Sequence, residues 1–146
     1  MSAPAAILAI LAAALLFWLA WRFEWLLELG EREFNEAYRS RRPLSDDTMV
    51  ELYFKDSKVD PIMATEVRRI FGHQLQYDAL RLHPDDDFMF LFNELDAVEL
   101  VNELEEFFKV ELPDADTSQT KATIRAMSEL VQRKLNEKAK RVGGFD

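Results

Sequence analysis

The chain has 146 residues, a length that suits one modest domain with an appended segment, and its formal net charge is −9 at pH 7. This acidic balance argues against nucleic-acid binding, because phosphate contacts require clustered lysine and arginine side chains. The chain contains no cysteine, which excludes disulfides, thiol catalysis and cysteine-ligated metal sites.

The first segment is an uncharged, almost wholly apolar run from Ala3 to Trp21. Because a helix rises about 1.5 Å per residue, roughly 20 such residues cross the hydrocarbon core of a bilayer. The sequence therefore predicts a single transmembrane helix at residues 1–22. A cleaved secretory signal fits less well, since the run lacks a basic start and a clean small-residue cleavage site. Aromatic and basic side chains at its end are expected at the membrane interface: Trp18, Trp21, Arg22 and Trp25.

Basic side chains follow the apolar run, whereas none precedes it. The positive-inside rule then places the N-terminus outside and the remainder of the chain in the cytoplasm. Apolar positions recur among charges up to Pro43, which predicts a juxtamembrane helix at residues 23–42. That helix lies on the membrane or on the domain, or it presses against another membrane protein.

Two further helices are predicted before the middle of the chain. Residues 43–62 form a helical extension and loop, with Ser45 or Asp46 capping a short helix over 46–54. The first core helix spans 62–75, because Ile62, Val67, Ile70, Phe71 and Leu75 recur at helical spacing. Arg68 and Arg69 are expected to be exposed on it.

A long connection, Gln76–Phe92, follows this helix. Its three adjacent carboxylates, Asp85 to Asp87, either cap turns or offer oxygen donors to a cation, and their spacing is not that of an EF-hand loop. The aromatic run Phe88–Phe92 either fills the core between helices or points outward as a docking patch.

The stretch Asn93–Phe108 has the clearest helical period in the chain. The apolar positions predicted to face the core are Leu95, Val98, Val101, Leu104, Phe107 and Phe108. The acidic positions on the opposite side are Asp96, Glu99, Glu103 and Glu106. Because like charges at these spacings repel one another, a cationic partner becomes plausible.

A polar loop with a short helix is expected at 114–120, and a last helix begins near Thr120 or Thr123. The apolar positions of that helix are Ile124, Met127, Leu130, Val131 and Leu135. Residues 137–146 read as a basic flexible tail, which is either solvated or in contact with anionic lipid.

Residues 63–136 resemble acyl carrier proteins. Three motifs carry the resemblance: Asn93-Glu94-Leu95-Asp96, Val98-Glu99-Leu100-Val101 and Glu111-Leu112-Pro113-Asp114. Residues 67–75 are similar to the end of that family's first helix, and residues 123–127 to the start of its last. The resemblance implies an all-α fold, an acyl-carrier-type four-helix bundle preceded by the transmembrane and juxtamembrane helices.

One departure from the family decides the functional interpretation. The resemblance places Glu94 where the family has the serine that carries phosphopantetheine, and no serine lies between Ser57 and Ser118. A carboxylate cannot supply the hydroxyl that accepts this arm. No cofactor is therefore expected. No metal is expected either, because no metal-ligand spacing stands out in the sequence. Since no catalytic motif stands out either, the chain is not expected to be an enzyme.

The leading hypothesis is a membrane-anchored, non-carrier protein that acts as an interaction module or as an accessory or structural subunit of a membrane complex. Its expected partners are a membrane protein or complex with a basic surface, and the lipid bilayer. The residues expected to contact the protein partner are Leu95, Asp96, Glu99, Glu103 and Glu106. One alternative is a membrane-tethered acyl carrier in lipid or fatty-acid metabolism. Another is a purely structural transmembrane subunit.

Overall fold

The computed structural model describes residues 3–92 and 94–144, and every regular element in those residues is helical. The predicted all-helical fold is confirmed. The helices are α1 (Ala3–Ser40), α2 (Asp46–Tyr53), α3 (Pro61–Leu75), α4 (Glu94–Phe108), α5 (Asp114–Thr117) and α6 (Ile124–Gly143), with a 3₁₀ turn at Ala79–Arg81 between α3 and α4. The chain divides into two compact units, Met1–Arg39 and Ser40–Asp146.

The first unit consists of α1, a helix of 38 residues that Gly30 does not interrupt. The segments predicted as transmembrane and juxtamembrane helices are continuous in it. Its large apolar side chains are exposed, from Ile7 to Leu26. Exposure to water would cost about 25 cal/mol for each Å² of apolar surface. One stretch of α1 is long and apolar enough to cross a bilayer, which supports the predicted membrane anchor.

The second unit begins with capped helices. The Ser45 hydroxyl accepts the Thr48 backbone N–H at 3.2 Å, so the short helix α2 begins as predicted and ends one residue early. Asp60 accepts the N–H of Ile62 at 2.8 Å, and Pro61 occupies the first turn of α3, where its missing N–H costs nothing. At the other end of the unit Thr123 caps α6, which was one of its two predicted starts.

α3 is the central helix of this unit, because it contacts α2, α4 and α6. Full burial of a large apolar side chain contributes about 1.5–3 kcal/mol. The apolar core comes chiefly from three helices and the connection between α3 and α4: Met63, Val67, Ile70, Phe71, Leu82, Phe88, Leu100, Leu104, Ile124, Met127, Leu130 and Val131. The predicted apolar positions Val67, Ile70 and Phe71 of α3 lie in this core.

Two predictions for α3 are wrong. Ile62 is 75% exposed, because it lies on the outer face of α3 with the exposed residues Arg69 and His73, whereas Met63 and Ala64 of the same turn are buried. Arg68 is fully buried rather than exposed. Its position explains this burial, since Ala64 four residues earlier and Phe71 three residues later are themselves completely buried. Only Arg69 is exposed as expected, where it pairs with Glu66 at 2.7 Å.

The buried guanidinium of Arg68 joins the helical extension to α3. It donates to the carbonyls of Leu44 (2.9 Å), Leu80 (2.8 Å) and Leu82 (3.1 Å). It also donates to Asp46 at 3.1 Å. Burial lowers the pKa of Arg68, and its hydrogen bond to Asp46 opposes that shift. These bonds satisfy a cation that would otherwise be costly to bury.

The close approach of Gly72 to the 3₁₀ turn at Ala79 places the carbonyls of Leu80 and Leu82 beside Arg68. A Cβ on Gly72 would lie 2.9 Å from the Cβ of Ala79, so any larger residue would push the 3₁₀ turn away from α3. The segment before α2 is held at the same place, since the Leu44 N–H donates to the Leu80 carbonyl at 2.7 Å. Arg41 adds a bidentate ion pair with Asp86, in which the two N–O distances are 2.6 and 2.7 Å.

Candidate partner-binding site

α4 presents a narrower apolar face than its sequence predicts. Leu100 and Leu104, one turn apart, are 5% and 0% exposed and point into the core. Val98 and Phe107, predicted to face the core, are 57% and 48% exposed. The prediction chose the stripe that contains the most apolar residues, whereas the apolar residues of α4 that are buried in the packing with α3 and α6 are Leu100 and Leu104.

The acidic residues of α4 share one side of the helix but have different surroundings. Glu99 and Glu106 are exposed and make no hydrogen bond or ion pair with the described residues. Asp96 and Glu103 are half-buried. Glu103 accepts a hydrogen bond from the Gln74 side-chain amide and lies 3.4 Å from His73, so it helps to join α4 to α3.

The first turn of α4 contains the remaining predicted site residues, Glu94 and Leu95. Its helical backbone begins at Glu94, as expected from the repeating pattern. The side chains of Glu94 and Leu95, and all of Asn93, lie outside the described part of the structure. The predicted partner contact of Leu95 therefore stays a prediction.

Each of the three aspartates before α4 accepts hydrogen bonds from other residues of the chain. Asp86 pairs with Arg41, and Asp87 accepts the Met89 N–H at 2.9 Å as a turn cap. Asp85 binds Arg125 through both oxygens, at 2.5 and 2.9 Å. The hydrogen bond from Arg125 lowers the pKa of Asp85, and the same contact raises the pKa of Arg125. Within residues 3–92 and 94–144, no group of three or more His, Asp or Glu side chains is arranged to hold a metal ion.

The aromatic run Phe88–Phe92 divides between the two predicted roles. Phe88 is fully buried, its ring centroid lies 5.2 Å from that of Phe71, and its N–H donates to the Ala122 carbonyl at 2.9 Å. Phe92 is half-buried and meets Phe71 edge-on at 6.1 Å. Met89 and Phe90 are 62% and 39% exposed. One part of the run therefore fixes the connection to the core, and the other part faces solvent.

An open groove of about 680 Å³ runs between α4, α5 and the start of α6. Its walls are mainly apolar, with Val98, Val101, Leu112 and Met127 among the lining residues. The sequence pattern does not identify these residues as a group, because they come from three separate segments. The aromatic rings proposed to fill the space between helices do not line this groove.

The predicted membrane-interface residues lie together on α1. Trp18, Trp21, Arg22 and Trp25 line one shallow cleft of about 270 Å³. The Arg22 guanidinium lies 5.3 Å from the centroid of the Trp18 ring, close enough for a cation–π contact. An arginine that rests on an indole suits the polar boundary of a bilayer, where both groups are favoured.

Residues 65–131 match the family model described as phosphopantetheine attachment site. These residues form an acyl-carrier-like domain. The predicted family likeness is thereby confirmed for this part of the chain. No curated protein matches the chain.

The chemistry of the acyl-carrier-like domain does not fit the group that its family attaches. Attachment of phosphopantetheine requires a side-chain hydroxyl, and the segment between Tyr77 and Thr117 contains no serine, threonine or tyrosine. α4 lies wholly within this segment. Thr117 belongs to α5 and donates towards the carbonyls of Pro113 and Asp114, so it does not open α4.

Proposed function

We propose that this membrane-anchored, acyl-carrier-like protein does not carry an acyl group. It acts instead as an accessory subunit that docks on a basic surface of a membrane protein or complex through α4. The observation that carries the proposal is the acidic side of α4, which exposes Glu99 and Glu106 without an ion pair to either of them among the described residues. The helix also lacks a hydroxyl for a prosthetic arm.

Electrostatics explain why such a helix suits docking. Repulsion between the acidic side chains is relieved when a basic surface approaches, and opposite charges speed and orient the encounter. Exposed charges are screened over about 8 Å at physiological ionic strength, so the complex should weaken as salt increases. Asp96 and Glu103 complete the proposed surface on the same side of α4, and Leu95 stays a predicted contact.

The docking proposal is tested by reversing the exposed charges. The variant Glu99→Lys/Glu106→Lys, purified in mild detergent from its own membranes, is expected to lose the partner that the unaltered chain retains. The matched control is Glu51→Lys/Glu129→Lys, which makes the same change in net charge at exposed positions outside α4. Equal recovery of the partner with both variants would contradict docking through α4.

The non-carrier part of the proposal has its own test. The chain is incubated with coenzyme A and a phosphopantetheinyl transferase, and its intact mass is then measured. An unchanged mass is expected for the unaltered chain, and Glu94→Ser is the variant that restores a hydroxyl at the start of α4. A phosphopantetheine adduct on the unaltered chain, or on chain recovered from its own membranes, would overturn the proposal.

A membrane-tethered acyl carrier remains the second candidate, and the groove beside α4 is the observation that favours it. An open groove of about 680 Å³ with mainly apolar walls could hold a fatty chain along α4. This candidate requires a covalent attachment point, so the mass measurement distinguishes it from the first. Only an adduct would support it.

We also propose that the N-terminus lies outside and the acyl-carrier-like domain in the cytoplasm. The proposal rests on the basic residues that follow the apolar part of α1. Because the chain has no cysteine, a single cysteine introduced at exposed Gln119 can be labelled without background. A membrane-impermeant reagent added to intact cells should leave it unlabelled, and labelling without permeabilisation would reverse the orientation.

A further inference from the structure

α6 extends beyond the core that it helps to build. Its buried positions Ile124, Met127 and Val131 alternate at steps of three and four residues. Continuing the same steps leads to Lys134, Lys138 and Arg141, so the face that is apolar inside the bundle becomes basic past its end. All of residues 136–143 are exposed, although they remain helical.

A contact with the end of α4 widens this basic face. The Lys138 ammonium donates to the Lys109 carbonyl at 2.6 Å, and Lys109 itself has the left-handed φ of 55° that turns the chain away from α4. Between the two segments lies a cleft of about 370 Å³. Its charged lining residues are Lys109, Lys134, Lys138 and Arg141, together with Glu111 and Glu137.

The charge of this surface is positive in a chain of net charge −9. Lys134 pairs with Asp116 at 2.7 Å, and this hydrogen bond raises the pKa of Lys134. Lys140 and Arg141 are exposed beside Val142, which is 73% exposed. Long cationic side chains around an apolar residue allow contact with headgroups and with the acyl boundary beneath them.

We propose that this basic end of α6, formed by Lys109, Lys134, Lys138, Lys140 and Arg141, binds the phosphate groups of anionic lipids. Its charge complements that of an anionic bilayer surface, which attracts clustered lysine and arginine side chains. The candidate membrane-spanning helix in the same chain keeps lipid headgroups at high effective concentration. A second membrane contact would thus act together with α1. The proposal does not depend on docking through α4.

The test uses the full chain in lipid nanodiscs. A single cysteine in place of exposed Ala139 carries a polarity-sensitive fluorophore, which is feasible because the chain has no cysteine of its own. The emission is expected to shift when about one-third of a neutral lipid is replaced by an anionic one, and salt should reverse the shift. The same fluorophore at Gln119 should not respond.

Substitutions then identify the cations responsible. Lys138→Gln/Lys140→Gln/Arg141→Gln should abolish the shift, because it removes three exposed charges from the basic end. Lys55→Gln/Lys58→Gln/Lys121→Gln removes the same number of exposed charges elsewhere and should retain it. Glu99→Lys/Glu106→Lys should retain it too, which separates this proposal from docking through α4.

Three outcomes would overturn the proposal. The emission could be the same in neutral and anionic discs, or both triple variants could lose the shift equally. The shift could also appear only after proteins extracted from the native membrane are added, which would assign the basic end to an acidic protein surface. Circular dichroism of each variant verifies that the helices remain folded.

Discussion

α3 and α4 pack against each other and have the same length of 15 residues, yet they hold their charged residues differently. α3 buries Arg68 completely and satisfies it with carbonyls from other segments. α4 exposes Glu99 and Glu106, which bind nothing among the described residues. The buried charge of α3 therefore holds the fold together, whereas the exposed charges of α4 are available to a partner.

The largest effect is expected at Arg68. Arg68→Met should lower the free energy of unfolding by about 3–5 kcal/mol, because it removes the side-chain donor of the buried Leu82 carbonyl and of the part-buried Leu44 carbonyl. The Leu80 carbonyl loses one of its two donors, and Asp46 loses its ion pair. Urea unfolding of the full chain in detergent, followed by circular dichroism, measures the change. Arg69→Met is the matched control, since the same substitution at this exposed neighbour should cost less than about 1 kcal/mol. Equal losses of unfolding free energy in the two variants would show that the buried hydrogen bonds of Arg68 do not hold these segments together.

A smaller effect is expected on the inner face of α4. Leu104→Ala should cost about 2–5 kcal/mol, since it leaves a cavity at a fully buried position. Val98→Ala should cost less than about 1 kcal/mol, because that side chain is 57% exposed. The same urea measurement compares the two variants. A larger loss of unfolding free energy for Val98→Ala than for Leu104→Ala would support the apolar face predicted from the sequence.

The outer face of α4 should contribute almost nothing to stability. Glu99→Lys/Glu106→Lys is expected to change the free energy of unfolding by no more than about 0.5 kcal/mol, in either direction. Relief of repulsion with neighbouring acidic side chains favours a small gain. If this variant unfolded readily, its failure to bind a partner would no longer report on docking, and the contrast with α3 would be lost.

Local sequence signals predict the helices well, because their ends depend on adjacent residues. Ser45 and Thr123 cap helices at predicted places, and Pro43 follows the end of α1 by a few residues. The burial of Arg68 could not be predicted from its own helix. Its partners come from residues 44, 80 and 82, and only the folded chain brings those carbonyls together.

The candidate site was predictable in part for the same reason. Exposure of Glu99 and Glu106 follows from the helical period of α4 alone. The contact between Glu103 and Gln74 does not, because it depends on how α3 lies against α4. The basic end of α6 was visible in the sequence as a run of charges. Its continuity with the buried face could not be predicted, because it depends on where burial ends along α6, and the last buried residue is Val131.

A similarly small effect is expected from an ion pair outside both helices, which sets the scale for exposed charges. Arg125 lowers the pKa of Asp85 in the folded chain, so the pair adds stability above the ordinary pKa of an aspartate, and this stability is lost as pH falls through the lowered value. The Asp85 side chain is 57% exposed, so solvent screening limits the contribution to less than about 1 kcal/mol. Asp85→Asn should therefore unfold at nearly the same urea concentration as the unaltered chain at pH 3, and slightly earlier at pH 6. An equal or larger difference at the lower pH would mean that Asp85 acts through packing or hydrogen bonding and not through its charge.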